Sequence, residues 1–297
     1  MEGGRSSETD GPMQTDENMA VDESVPVDEP GLVDLHSHLV PGVDDGARTR
    51  EDVLEGVQRL VDRGVRRIIT TPHLDGSLTL DPLALSRRLD RVDAAWSEIR
   101  EAVLKAHPGL DFHKAHEVLL DVPTPDLSDP RLHLPSTSVV LMEWPRLHIP
   151  PGTSRVLAGL RDRGIRPLIA HPERYRGFDA NLSLVKEWRQ EGAFLQMNYG
   201  SLVGRYGPPA RKQALHLLAE GAADCLASDF HGRPHLRLYM RETEALFQDA
   251  EAGEAWRLLT RVNPDRISRG EAPVPVPAVT FSRGVVGRIR SLFGHGG

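Results

Sequence analysis

The sequence predicts an α/β protein whose parallel βα units close into a single barrel, and three observations carry that prediction. Short β-branched runs alternate with amphipathic helical patterns from residue 31 to about residue 262. The repeating part covers about 240 residues, a length that suits one closed barrel better than an open two-domain fold. Histidines and carboxylates recur at the C-terminal ends of the strand-like runs, the rim on which barrel enzymes carry their chemistry.

The elements follow in order. Leu32–Leu35 reads as the first strand and ends at a polar cluster. Thr49 reads as a helix N-cap, with Asp52 where a capping box usually has Glu or Gln. Val53, Leu54, Val57, Leu60 and Val61 then recur at helical spacing until Gly64. Val65–Thr71 is the second strand, and a long helix runs from Asp81 to about Ala106 on a stripe of Leu85, Leu89, Val92, Trp96, Ile99 and Val103. Five more strand-like runs lie near 111–118, 138–143, 166–170, 193–198 and 223–227, seven in all. Helical patterns near 153–163, 181–191, 208–220, 236–248 and 252–262 separate or follow them. The Pro- and Asp-rich loop 121–136 is expected to cover part of one rim.

Composition bounds the function. The 297 residues are 39% hydrophobic and 27% charged, as in globular proteins, and no stretch approaches the roughly 18 apolar residues of a membrane span. The acidic N-terminus does not read as a secretory signal, so the expected setting is the cytoplasm. One cysteine, Cys225, excludes an intramolecular disulfide framework and a cysteine-built zinc cluster, and it reads as a buried small residue. Nine acids and one base in residues 1–30 give −8 of the net −7, leaving the remaining chain at +1. Such a body has no basic field for nucleic acid. Three parts are expected: a disordered acidic tail (1–30), a catalytic domain (31–271) and a Pro-linked tail (272–297). The last begins with an extended spacer and continues, from Phe281 to Phe293, as a basic amphipathic segment weakened by glycines.

His36 and His38 close the first strand, and Asp44-Asp45-Gly46 precedes the first helix. His73 ends the second strand, Glu117 the third, Glu143 the fourth, His171 the fifth, and Asp229 and His231 the last. Alternate strand residues share a face, so His36 with His38, and Asp229 with His231, can grip one ion together. A lone strand histidine is more often structural than ligating, and His-x-His alone is a weak motif. Nine placements at one rim, however, are not nine coincidences. Mixed imidazole and carboxylate donors suit manganese, iron, zinc or cobalt, and nine exceed one ion's need, which implies two or three. His107, His113, His133, His148, His216, His235 and His295 lack this placement and read as solvated or capping residues, while His116 should point away from Glu117. Arg174 and Arg233 sit beside ligand candidates and match phosphate oxygens, unless they pair with a ligating carboxylate. No P-loop and no Gly-x-Ser-x-Gly elbow occurs. The position six after Cys225 is His231 rather than arginine, so a cysteine phosphatase is excluded.

The motifs Asp34-Leu-His-Ser-His38, Pro41-Gly-Val-Asp-Asp-Gly-Ala47, Thr71-Pro-His73, Ile169-Ala-His-Pro-Glu-Arg-Tyr175, Gln196-Met-Asn-Tyr-Gly-Ser201 and Ala227-Ser-Asp-Phe-His231 together resemble one group. It is the bacterial tyrosine-protein phosphatases of the polymerase-and-histidinol-phosphatase (PHP) superfamily, encoded with capsule and exopolysaccharide synthesis. The resemblance covers about residues 31–270. It implies a distorted seven-stranded (β/α) barrel of the PHP type and a trinuclear centre, usually of manganese (Mn2+). One ion would take His36, His38, Glu117 and Asp229; a second Glu117, Glu143 and His171; a third Asp45, His73 and His231. Arg174 and Arg233 match the phosphate-binding arginines. The chain departs from the pattern at Leu74, where a second histidine is common, and at Lys114-Ala-His116 before Glu117. The implied substrate is the phosphotyrosine-rich tail of a membrane-associated bacterial tyrosine autokinase, hydrolysed by metal-activated water. A phenol of pKa about 10 leaves without strong protonation. The rival readings are a small-molecule phosphatase or phosphodiesterase on the same scaffold, histidinol-phosphatase-like, and a regulatory module without catalysis.

Overall fold

Strand parity sorts the interior into two layers. The computed structural model describes residues 30–281. The expected disorder of the acidic head and the basic amphipathic segment beyond Phe281 lie outside the described residues. Among the described residues nine strands form: β1 (Leu32–Asp34), β2 (Val65–Thr70), β3 (His73–Asp75), β4 (Asp111–Lys114), β5 (Glu117–Leu119), β6 (Val139–Glu143), β7 (Arg166–Ala170), β8 (Phe194–Asn198) and β9 (Cys225–Ala227). Every pairing is parallel, in the orders β1-β2-β4 and β3-β5-β6-β7-β8-β9. Beyond the ends of β1 and β9 a parallel bridge joins Ser37 to Phe230, with the His38 N–H donating to the Phe230 carbonyl at 2.8 Å.

Side chains of one parity, Val33, Leu35, Ile69, Val139, Leu141, Leu168, Ala170, Phe194 and Cys225, form a buried cluster of their own. Those of the other parity, including Ile68, Val140, Met142, Ile169, Leu195 and Leu226, pack with the helical stripes. Two hydrophobic layers on opposite faces are what parallel strands under a helical coat require.

Two predicted strands are each broken, which makes nine strands from seven runs. The second breaks at Pro72, which has no N–H for the ladder; its carbonyl instead accepts from Glu117 N at 3.2 Å. The run 111–118 breaks at Ala115-His116. His73 and Glu117 therefore begin β3 and β5 rather than ending the strands before them, and they stand opposite each other in register. His116 turns outward, its Nδ1 donating to the Arg131 carbonyl at 3.0 Å.

The helices are α1 (Arg50–Val61), α2 (Pro82–Ala106), α3 (Thr153–Asp162), α4 (Ser183–Gln190), α5 (Tyr199–Leu202), α6 (Gly207–Ala219), α7 (Met240–Asp249), α8 (Gly253–Arg257) and α9 (Asn263–Ser268). Thr49 and Asp52 form the expected capping box on α1. Asp81 caps α2 through the backbone N–H groups of Leu83 and Ala84. The helix predicted to stop near 262 instead continues through a π-helical turn, Leu258–Val262, into α9. Loop 121–136 buries Leu127, Leu132 and Leu134 in the body. Residues 272–281 are irregular but not a free spacer. Asn263 exchanges hydrogen bonds with Val274, and Val276 and Val279 are buried against the helical layer.

Candidate metal centre and phosphate cleft

All nine predicted ligand candidates converge. His36 and His38 follow β1, Glu143 ends β6, His171 follows β7, and Asp229 and His231 follow β9. The ring nitrogens show what the cluster lacks. His36 Nδ1 lies 2.8 Å from Gln196 Oε1, and His38 Nδ1 lies 2.8 Å from Asp44 Oδ2. Both neighbours accept, so both imidazoles carry their proton on Nδ1 and turn the bare Nε2 inward. The two Nε2 atoms are 3.3 Å apart, with Glu117 Oε2 at 3.1 and 3.4 Å. His73 Nδ1 approaches the same oxygen at 3.1 Å. Glu117 Oε2 is buried without a hydrogen-bond donor. Lone pairs that face lone pairs in a buried site call for a cation.

Around this centre, His171 Nε2 lies 3.1 Å from Glu117 Oε1 and 3.7 Å from Glu143 Oε2. Asp45 Oδ1 lies 3.5 Å from His73 Nε2 and 3.4 Å from His231 Nε2. Asp229 Oδ1 lies 3.5 Å from His36, 3.6 Å from His38 and 3.6 Å from His231 Nδ1. Three groups have donor atoms mutually within 4.8 Å: His38, Asp45, His73 and His231; His36, His38 and Glu117; His73, Glu117 and Glu143. The donor set fits divalent transition ions.

Electrostatics agree. Burial alone would lower the pKa of His36, but the Glu117 and Asp229 carboxylates outweigh it and lift it to about 9. Burial, reinforced by the Glu117 charge, raises Glu143 to about 7. Burial opposes ionisation of Glu117 itself, yet the surrounding imidazoles hold it well below the carboxylate range. Clustered carboxylates in a buried site draw positive charge, which metal ions would supply in a loaded centre.

Several contributors stood in quoted motifs without a role assigned to them. Gln196 and Asn198, two apart on β8, donate in series: Gln196 Nε2 to Asn198 Oδ1 at 2.9 Å, then Asn198 Nδ2 to Asp229 Oδ2 at 2.7 Å. Their period of two was the available signal. Asp44 orients His38 and accepts from the N–H groups of Gly46 and His73. Burial would raise its pKa, but these bonds and the His38 ring hold it at about 2. The loop needs glycine at 46, where a Cβ would lie 2.4 Å from the His38 carbonyl oxygen. His171 and Asp229 hold left-handed backbone, φ 35° and 48°, a local cost met by the structure around them.

Beside the centre opens a cleft of about 380 Å³ lined by Asp45, Asp229, His231, Arg174, Arg233 and Tyr206, among others. Arg174 donates to Asp229 Oδ2 at 3.0 Å and stacks on Tyr206, with its Cζ 4.3 Å from the ring centroid. Arg233 donates from Nε to the Gly46 carbonyl at 2.6 Å and from Nη2 to the Asp45 carbonyl at 2.8 Å, clamping that loop. Both arginines thus face the cleft while holding parts of the centre. His235, read as solvated or capping, lines the cleft.

The family described as "Capsular polysaccharide synthesis, CpsB/CapC" matches residues 32–269. The chain belongs to this CpsB/CapC family. Among its relatives is the tyrosine-protein phosphatase YwqE of Bacillus subtilis, 29% identical over 89% of this chain and 99% of that protein. Another is the tyrosine-protein phosphatase CpsB of Streptococcus pneumoniae, 26% identical over 80% of this chain and 98% of that protein. A crystal structure from work on YwqE and CpsB, described there as metal-dependent tyrosine phosphatases, superposes with a TM-score of 0.65 at 25% identity. It covers 85% of this chain and 100% of its own. A phosphotriesterase homology protein of Escherichia coli, 14% identical with a TM-score of 0.51 over 80% of this chain and 99% of its own, shares the fold alone. Among the described residues no helix is long and apolar enough to cross a membrane.

Proposed function

We propose that this CpsB/CapC-family chain is a metal-dependent protein-tyrosine phosphatase acting in the cytoplasm on a tyrosine autokinase of capsule or exopolysaccharide synthesis. The observation that carries the reading is the buried Glu117 oxygen facing bare imidazole nitrogens, beside a cleft lined by Arg174 and Arg233. The centre suits two or three ions, of which Mn2+ matches the mixed nitrogen and oxygen donors. Its ligands would be His36, His38, Asp45, His73, Glu117, Glu143, His171, Asp229 and His231. When bound, such ions acidify water to near-neutral pKa and polarise a phosphate ester.

The chain's own groups do the rest. Gln196 and Asp44 keep protons on the Nδ1 atoms of His36 and His38, so that their Nε2 atoms remain donors to metal. Arg174 and Arg233 present fixed positive charge where the equatorial phosphate oxygens would gather, at no cost in reorganisation. The ring of Tyr206 packs under the Arg174 guanidinium and supports it at the cleft wall. A tyrosine phenolate, with a pKa of about 10, departs without a strong general acid.

The test compares kcat/KM of Mn2+-loaded protein on matched phosphotyrosine and phosphoserine peptides and on histidinol phosphate. The phosphotyrosine peptide should lead clearly, and chelation should abolish turnover until Mn2+ is restored. Preference for histidinol phosphate would move the chain to the small-molecule branch, and full activity without metal would end the reading.

A further inference from the structure

A second cleft, of about 440 Å³, adjoins the first, and Arg174 and Tyr206 line both. They form a shared wall. On its far side stand Arg146, Arg176, Phe178 and the edge of Glu173, with no candidate metal ligand among the lining residues. We infer that this second cleft receives the acidic side chain of a residue flanking the phosphotyrosine, held by Arg146 and Arg176. The inference rests on the phosphatase reading above and names the kind of peptide that the site prefers.

Three observations support it. First, the two arginines have no anionic partner: among the described residues neither guanidinium makes an ion pair, whereas Arg131, Arg161 and Arg257 are paired to Asp129, Glu191 and Glu254. Glu173 is the cleft's one acid, and it is turned inward. Its Oε1 accepts from Ser201 Oγ at 2.6 Å and Asn198 N at 3.0 Å, which leaves the exposed arginines uncompensated.

Second, the arginine-bearing loop is held in costly backbone. Arg146 and Leu147 are consecutive non-glycine residues with φ 55° and 53°. The segment is tied to the loop after His171 by Arg176 N–H donating to the Leu147 carbonyl at 3.0 Å and by an isolated bridge between His148 and Arg176. Strain of this kind persists where the surrounding structure imposes it, often at ligand sites. Here it sets the two guanidinium-bearing residues beside one cleft. Third, Arg174 and Tyr206 line both clefts, so a peptide whose phosphate met Arg174 in the first would carry a flanking residue toward Phe178 and the two arginines in the second.

The experiment uses full-length Mn2+-loaded protein and three phosphotyrosine peptides that differ only in having Glu, Gln or Lys beside the phosphotyrosine. Free phosphotyrosine normalises each variant's turnover. The expected ratio of kcat/KM for Glu over Gln is about fivefold to tenfold at low salt, the scale of one or two exposed ion pairs, with Lys below Gln and the preference fading as salt rises. The surface variants Arg146→Gln and Arg176→Gln should each shrink that ratio and together bring it to one, and Arg176→Glu should invert the order of Glu and Lys. Equal rates for the three peptides in the wild type, or a preference that survives both substitutions, overturns the cleft assignment while leaving the phosphatase reading intact. No turnover of any phosphotyrosine substrate removes both.

Discussion

The lower and upper ends of the same strands obey opposite rules. Below, Val33, Ile69, Val139 and Phe194 fill the interior with apolar contact. Above, within a few residues of the same chain, nine titratable side chains crowd together, with a buried carboxylate oxygen lacking a donor and left-handed backbone at His171 and Asp229. The lower end lowers the free energy of the fold; the upper end raises it and needs positive charge to be satisfied. A parallel barrel tolerates this because its stability and its chemistry sit at opposite mouths.

Substitutions should separate the two ends. The largest contrast is between Ile69→Ala, at a residue paired with His113 four positions below Glu117, and Glu117→Gln. The first opens a cavity in the lower core and should cost about 2–5 kcal/mol in denaturant unfolding. Activity per folded molecule should persist. Glu117→Gln should lower turnover by roughly 10³-fold or more and reduce bound metal, because it removes the carboxylate that faces His36, His38, His73 and His171. Its metal-free form should unfold within about 1 kcal/mol of wild type, since the amide keeps the volume and removes a buried anion. Equal losses of stability from both variants would erase the contrast between the ends.

A smaller effect sharpens the boundary of the upper end. Arg174→Ala and Arg233→Ala should each lower kcat/KM by roughly 10²-fold, the scale of losing one preorganised charge contact. Metal content, measured by elemental analysis, should stay near wild type. Arg174 also pairs with Asp229, and Arg233 also clamps the Asp45–Gly46 backbone. Stoichiometric metal loss in either variant would reassign that arginine to supporting a ligand.

The smallest effect belongs to Cys225, which is buried in the lower cluster and whose thiol burial pushes well above its ordinary pKa. Cys225→Ser should leave turnover within a few-fold of wild type while costing some stability, because a hydroxyl enters an apolar site. Activity lost with fold and metal retained would mean that the thiol takes part in the chemistry.

What could be read from the residues follows from local physics. The capping box at Thr49 and the stripe from Leu85 to Val103 depend on neighbours within a few positions, and both appear as read. The nine rim residues were legible because a parallel βα chain puts every strand end at the same mouth, whichever strands become neighbours. Bends and partners were not legible. Pro72 marks one break by lacking an N–H, but the break at Ala115-His116 and the pairing of His73 with Glu117 depend on the partner strands. Which nitrogen of His36 and His38 faces inward was decided by Gln196, 160 residues from His36, and by Asp44 in a loop folded back over the rim. The wall of Arg174 and Tyr206 between two clefts likewise exists only once the start of α6 and the turn after His171 come together. Residue type and spacing carry the inventory of a site, since they are properties of the chain. Tautomer, charge balance and enclosure depend on distances between segments remote in sequence, and those were set by tertiary packing.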